Sequence, residues 1–197
     1  MANRRLILKF IVNKLRPVLY LIMCIFFDRR YITGKHFDSG LAGYAWGLSA
    51  IWTRNILRLA PPLPFPASFL TRISDYRNLD FHPDDLNNMQ SPGSYFQNFY
   101  GKITIGRGTY IAPNVGIITV NHDPSDLDRH LSAKDVVLGE SCWIGMNSVL
   151  LPGVHLGSHT IVGAGSIVTK SFPEGCVVIA GNPARALREN ISAMGDH

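Results

Sequence analysis

Residues 138–173 read LGESCW IGMNSV LLPGVH LGSHTI VGAGSI VTKSFP, six hexapeptides in one phase that open on Leu138, Ile144, Leu150, Leu156, Val162 and Val168. Ile105, Ile111 and Ile117 carry the same period over 105–122. Six of these nine aliphatic residues are followed by Gly or Ala, and four positions further on seven of nine residues are small. A helix repeats every ~3.6 residues and a lone strand every ~2, so a repeat of six fits neither. It fits a solenoid of short strands in which three hexapeptides close one triangular coil. Aliphatic side chains stack inside, small residues occupy the tight corners, and each coil covers the open backbone of the last. Ile117 to Leu138 spans 21 residues, which is not a multiple of six. A loop over 123–137 must therefore leave the solenoid, and loops held on rigid scaffolds are where function concentrates.

Outward from the repeat, the chain changes character. Of its 197 residues 46% are hydrophobic and 17% charged, which excludes disorder, collagen and a polytopic membrane protein. Cys24, Cys142 and Cys176 are widely spaced and form no CxxC pair, so a reducing, cytoplasmic compartment is expected and no zinc clasp. The net charge of +5 is uneven: residues 1–35 hold eight Lys or Arg against one Asp, while 36–197 hold eleven against thirteen acids. The basic residues lead into ten apolar positions, Val18 to Phe27, fewer than the roughly 18–20 a spanning helix needs. No small-residue cleavage site follows. This reads as an amphipathic basic helix, kinked at Pro17, suited to an anionic leaflet through residues 1–30 or to packing on protein. Leu41, Ala45, Leu48, Trp52, Ile56 and Leu59 predict a second helix. Pro61, Pro62, Pro64 and Pro66 then end it in a stiff linker. The expected organisation is a helical region over 1–67, a β-helix over 68–183, and a C-terminal helix and tail over 184–197.

Residues 105–190 resemble the hexapeptide-repeat acyltransferases, and within them the maltose, galactoside and polysaccharide O-acetyltransferase branch. The runs that carry the resemblance are Ile111-Ala112-Pro113-Asn114-Val115, Trp143-Ile144-Gly145, Leu151-Pro152-Gly153-Val154, 163–170 (GAGSIVTK) and 180–185 (AGNPAR). The resemblance implies a mainly β protein, a left-handed parallel β-helix that assembles as a homotrimer with active sites between subunits and acetyl-CoA as donor. It also implies direct transfer without a covalent acyl-enzyme. The family's catalytic histidine occupies the place of His122, in Asn121-His122-Asp123 where the loop begins. The chemistry suits an imidazole: an acceptor hydroxyl attacks a thioester poorly until a neutral base takes its proton. Asp123 is a candidate partner that would orient that ring.

By the same resemblance Trp143, Ala164, Thr169 and Lys170 line the donor groove, and Arg185 and Arg188 face its phosphates, which a planar guanidinium can bind through two charge-assisted bonds. Met146 stands where relatives carry a small residue, and its flexible thioether would narrow or reshape the groove. Tyr95, Gln97 and Asn98 are candidate acceptor contacts, with His130 in the loop a further one. Asp84 and Asp85 read as a backbone-bonding turn rather than an acid–base pair. His155 and His159 lie on different hexapeptides, so no metal site is expected. The leading expectation is an O-acetyltransferase for a sugar of a capsule, O-antigen or other surface glycan, cytoplasmic or peripheral at the inner membrane face. The alternatives are acetyl transfer to serine or a small xenobiotic, and a metal-binding or purely structural trimer. The basic residues alternate with aliphatics instead of forming a stacking platform, which argues against nucleic acid.

Overall fold

A computed structural model describes residues 15–189, which fall into two compact units that divide between Ala67 and Ser68. In the first unit residues 15–26 are helical, with Pro17 in the first described turn. The stretch where a kink would begin, together with Arg4, Arg5, Lys9 and Lys14, lies outside the described residues. A second helix, Ala42–Ala50, runs into a wider π turn at Ile51–Ile56. The unit's core is Met23, Phe27, Tyr31, Phe37, Tyr44, Ile51 and Phe65. Gly47 lets the helices approach, since a Cβ there would strike the Met23 sulfur. The proline segment is held by Arg54, buried, whose guanidinium donates to the carbonyls of Ala67 (3.0 Å) and Pro61 (2.7 Å). Burial lowers the pKa of Arg54 to about 10, which leaves it charged at neutral pH.

The second unit is a parallel β-helix with three faces. The first face stacks Leu79–Phe81, Ile103–Ile105, Val136–Leu138 and His155–Leu156. The second stacks Tyr110–Ile111, Trp143–Ile144, Ile161–Val162 and Val177–Gly181. The third stacks Arg72–Ile73, Tyr95–Gln97, Gly116–Ile118, Val149–Leu150 and Ile167–Val168. The chain visits the faces in that order, so each hexapeptide supplies one strand and one corner. All nine opening aliphatics, from Ile105 to Val168, are buried.

The corners show why their residues are small. Thr109 Oγ1 donates to the Gly139 carbonyl (2.7 Å), Ser148 Oγ to Gly163 (3.0 Å), Thr160 Oγ1 to Gly157 (2.7 Å) and Ser166 Oγ to Gly163 (2.6 Å). Each of these buried hydroxyls finds a corner carbonyl, so hydrogen bonding as well as size selects them. Asn114 and Asn147 turn the chain with φ of 58° and 61°, a region asparagine tolerates, and their side chains bond each other at 3.1 Å. His159 occupies an equivalent left-handed turn (φ 61°) and His155 an outward strand position. At the N-terminal end of the second face, Asn88 takes the part of a missing strand. Its amide donates to the Thr109 carbonyl (2.8 Å) and accepts from the Ile111 N–H (2.9 Å). Asp85 accepts from the Gly108 N–H (2.8 Å), and Asp84 pairs with Arg107 (3.0 Å).

The expected C-terminal helix is corrected over its described part. Ala184–Glu189 is a strand, antiparallel to Val177–Gly181. The last parallel strand exposes an edge of unpaired backbone groups, and folding back onto it satisfies them. Residues 190–197 lie outside the described residues.

Candidate active site

The loop departs at the turn from the third face to the first. Its base is pinned by the Lys134 N–H on the Thr119 carbonyl (2.8 Å) and the Leu131 N–H on the Asn121 carbonyl (2.9 Å). Above this it forms a hairpin, His122–Asp123 against Asp126–His130, which sets His122 opposite His130. His122 is exposed, and its Nδ1 lies 2.7 Å from the Leu127 carbonyl. A carbonyl only accepts, so Nδ1 carries a proton, and in the neutral ring Nε2 is the atom with the free lone pair. The His130 ring lies 4.5 Å from that of His122 at 34°. Phe99 and Tyr100 stand 5.4 and 5.7 Å from His130 and 4.7 Å from each other. Beside the loop base an opening of about 350 Å³ is lined by Asn121, Leu131, Ser132, Lys134 and Pro152.

Asp123 does not take the expected role. Its Oδ1 accepts from the Ser125 hydroxyl (2.6 Å) and N–H (2.9 Å), and the hydroxyl bond holds its pKa below the ordinary carboxylate range. It shapes the hairpin turn, while the group facing Nδ1 is a backbone carbonyl. Two of the acceptor candidates are engaged with backbone. Asn98 is fully buried and bonds the Asp75 N–H (3.0 Å) and carbonyl (2.6 Å). Gln97 Oε1 accepts from the N–H groups of Thr119 and Val120, both at 3.1 Å, and so props the backbone that leads to His122. Tyr95 is half-buried on the third face with the Arg72 guanidinium 5.5 Å over its ring. Phe99 and Tyr100 were not signalled by the sequence, because an aromatic pair next to Gly101 has no period or motif to mark it.

The donor-side candidates fall into two places. Trp143 is 57% exposed on the second face, between Tyr110 and Ile161. Met146 and Ala164 follow at the corner between the second and third faces, where the Gly165 N–H donates to the Met146 carbonyl (2.8 Å). Arg185 and Arg188 are exposed on the final hairpin, opposite Ala180 and Val178. Thr169 and Lys170 occupy the other corner, between the third and first faces, with Lys170 Nζ 5.4 Å from the Phe172 ring. His122 belongs to that same corner. A three-faced coil keeps its corners apart, so one chain does not bring His122 and the Met146–Ala164 corner together. No group of three or more His, Cys, Asp or Glu side chains that could hold a metal occurs among the described residues.

These features define a hexapeptide-repeat β-helix with a histidine-bearing loop at one corner. Residues 135–170 match the family described as bacterial transferase hexapeptide (six repeats), and the repeat region resembles the left-handed β-helix acyltransferases. The galactoside O-acetyltransferase of Escherichia coli K12 is 40% identical over 90 residues, 44% of this chain and 44% of that one. WcaF of the same strain, named for colanic acid biosynthesis, is 40% identical over 91 residues, 46% of this chain and 50% of that one. A solved maltose O-acetyltransferase from Clostridium difficile 630 is 34% identical with a TM-score of 0.45, covering 49% of this chain and 52% of that one. The chain thus spans about half the length of each of these relatives.

Proposed function

We propose that this chain transfers an acetyl group from acetyl-CoA to a sugar hydroxyl in surface-polysaccharide (capsule or O-antigen) biosynthesis, with His122 as general base. The observation that carries the reading is the 2.7 Å contact of His122 Nδ1 with the Leu127 carbonyl. It orients the ring and leaves Nε2 as the proton acceptor. Nε2 takes the hydroxyl proton as the oxygen attacks the thioester carbon. The new C–O bond gives a tetrahedral intermediate, the C–S bond then breaks, and the imidazolium returns the proton to the departing thiolate. Trp143, Met146, Ala164 and Thr169 line the donor groove, and Lys170, Arg185 and Arg188 supply cations for its phosphates. Because His122 and the Met146–Ala164 corner are apart in one chain, the reading includes a homotrimer whose neighbouring copies complete each site. The likeness of the repeat region to sugar acetyltransferases supports the acceptor class. The reading includes transfer on the cytoplasmic side of the membrane.

The test pairs binding with turnover. CoA at about a hundred times its Kd should stabilise the wild type by about 2.7 kcal/mol in a thermal-shift titration, and a Lys170→Ala/Arg185→Ala variant much less. His122→Ala should keep the CoA shift and lose about a hundred- to ten-thousand-fold in kcat. Unchanged turnover in that variant would move the chemistry away from His122, and no response to CoA in the wild type would remove the donor.

A further inference from the structure

Residues 15–26 form a helix that is apolar on two sides. The inner side buries Met23 and continues to Phe27, also buried. The outer side carries Leu15, Val18, Leu21 and Ile25, spaced three, three and four residues apart, and Leu21 and Ile25 are 65% and 76% exposed. A helix that has already met its core should turn polar residues outward, and an apolar outer stripe marks a surface that meets something else.

Charge says what that is. Residues 1–67 hold ten Lys or Arg against two Asp, a net +8, whereas 68–197 hold nine against twelve acids, a net −3. Directly after the helix stand Arg29 and Arg30, both exposed. A second copy docked on the same stripe would bring two units of +8 together, so like charges oppose that partner. Leu, Val and Ile offer nucleic-acid bases no stacking surface. An anionic lipid surface satisfies both features, since acyl chains accept the aliphatic stripe and headgroups accept the arginines. Spanning is not required, because no described helix is long and apolar enough to cross a membrane.

We infer that the outer stripe of helix 15–26, Val18, Leu21 and Ile25, with Arg29 and Arg30 at its end, seats the protein on an anionic membrane surface. The inference is independent of the acetyl-transfer reading. Leu48, Trp52 and Ile56 make a second outward stripe on the other helix, followed in sequence by Arg58. Fewer cations flank it, so it is the comparison and not the proposed lipid face.

The 197-residue chain is sedimented with vesicles of phosphatidylcholine alone and with phosphatidylglycerol added. The expected result is binding that depends on phosphatidylglycerol and weakens with salt. Leu21→Gln/Ile25→Gln should weaken it about tenfold or more, Arg29→Gln/Arg30→Gln should weaken it too, and Trp52→Gln/Ile56→Gln should leave it near wild type. These side chains are exposed, so melting temperatures should hold and report a folded chain. Equal binding to both vesicle types, loss confined to the Trp52/Ile56 variant, or no vesicle binding while Leu21→Gln/Ile25→Gln alters the oligomer mass would each overturn the assignment.

Discussion

At the residue scale the site depends on which atom each polar group meets. His122 finds a carbonyl, a partner that cannot donate, and this fixes its tautomer without a second titrating group. Asp123 is occupied two residues along its own turn. Its folded pKa lies below the ordinary value because the Ser125 hydroxyl donates to it. The Ser125 bonds are therefore at full strength above about pH 4 and are lost as the pH falls through the lower, folded value. Carboxyl titration followed by NMR should show Asp123 titrating below the ordinary range, with Ser125→Ala moving it back up. An unmoved titration would assign the shift to some other group. In activity assays Asp123→Asn should be much milder than His122→Ala; equal losses would restore Asp123 as the partner of the imidazole.

At the scale of the element, the repeat is held by columns of glycines and of hydroxyls at its corners. At the corner leaving the first face, Gly106 lies over Gly139, Gly139 over Gly157 and Gly157 over Gly175, and an added Cβ at any of the first three would strike the backbone of the next coil. Backbone cannot swing aside as a flexible side chain can. Gly139→Ala should therefore destabilise the protein by about 1–3 kcal/mol, the usual cost of overpacking. Gly116 is the control: its added Cβ would meet Val149 methyls at an ordinary 3.6 Å. Gly116→Ala should be neutral or slightly stabilising, since alanine restricts the unfolded chain. Urea or thermal melts of the two variants compare them directly. Equal effects would show that the coils can shift to accept a methyl group.

For the whole molecule, the arrangement of corners makes a prediction about assembly. If each site joins His122 of one copy to the Met146–Ala164 corner of the next, variants broken at different corners should complement each other. His122→Ala and Ala164→Trp would each be inactive alone. Unfolded together and refolded as mixed trimers, they should regain roughly a quarter of wild-type activity, since three in four random trimers are mixed and each holds one intact site. No recovery in a mixture of proven trimers would place the complete site within one chain.

The sequence alone determined the repeat, its inward aliphatics, the corner positions and the point at which the loop leaves. Those features are phase relations along the chain: a residue six positions on meets the same environment, so the pattern is visible without coordinates. His122, in the turn where that phase breaks, is marked by the resemblance to the acyltransferase family and not by the period itself. Tertiary structure alone decided where polar groups find partners. Nothing local distinguishes the Leu127 carbonyl from any other. The burial of Asn98 and the propping role of Gln97 depend on backbone groups more than twenty residues away. The strand at 184–189 exists because the last coil leaves an edge to cover. The apolar period over 41–59 predicts a helix but not its orientation, and the structure turns Ala45, Leu48, Trp52 and Ile56 outward while Tyr44, Gly47, Ile51 and Arg54 face the core. Periodicity records that a stripe exists, and only packing decides which stripe is buried.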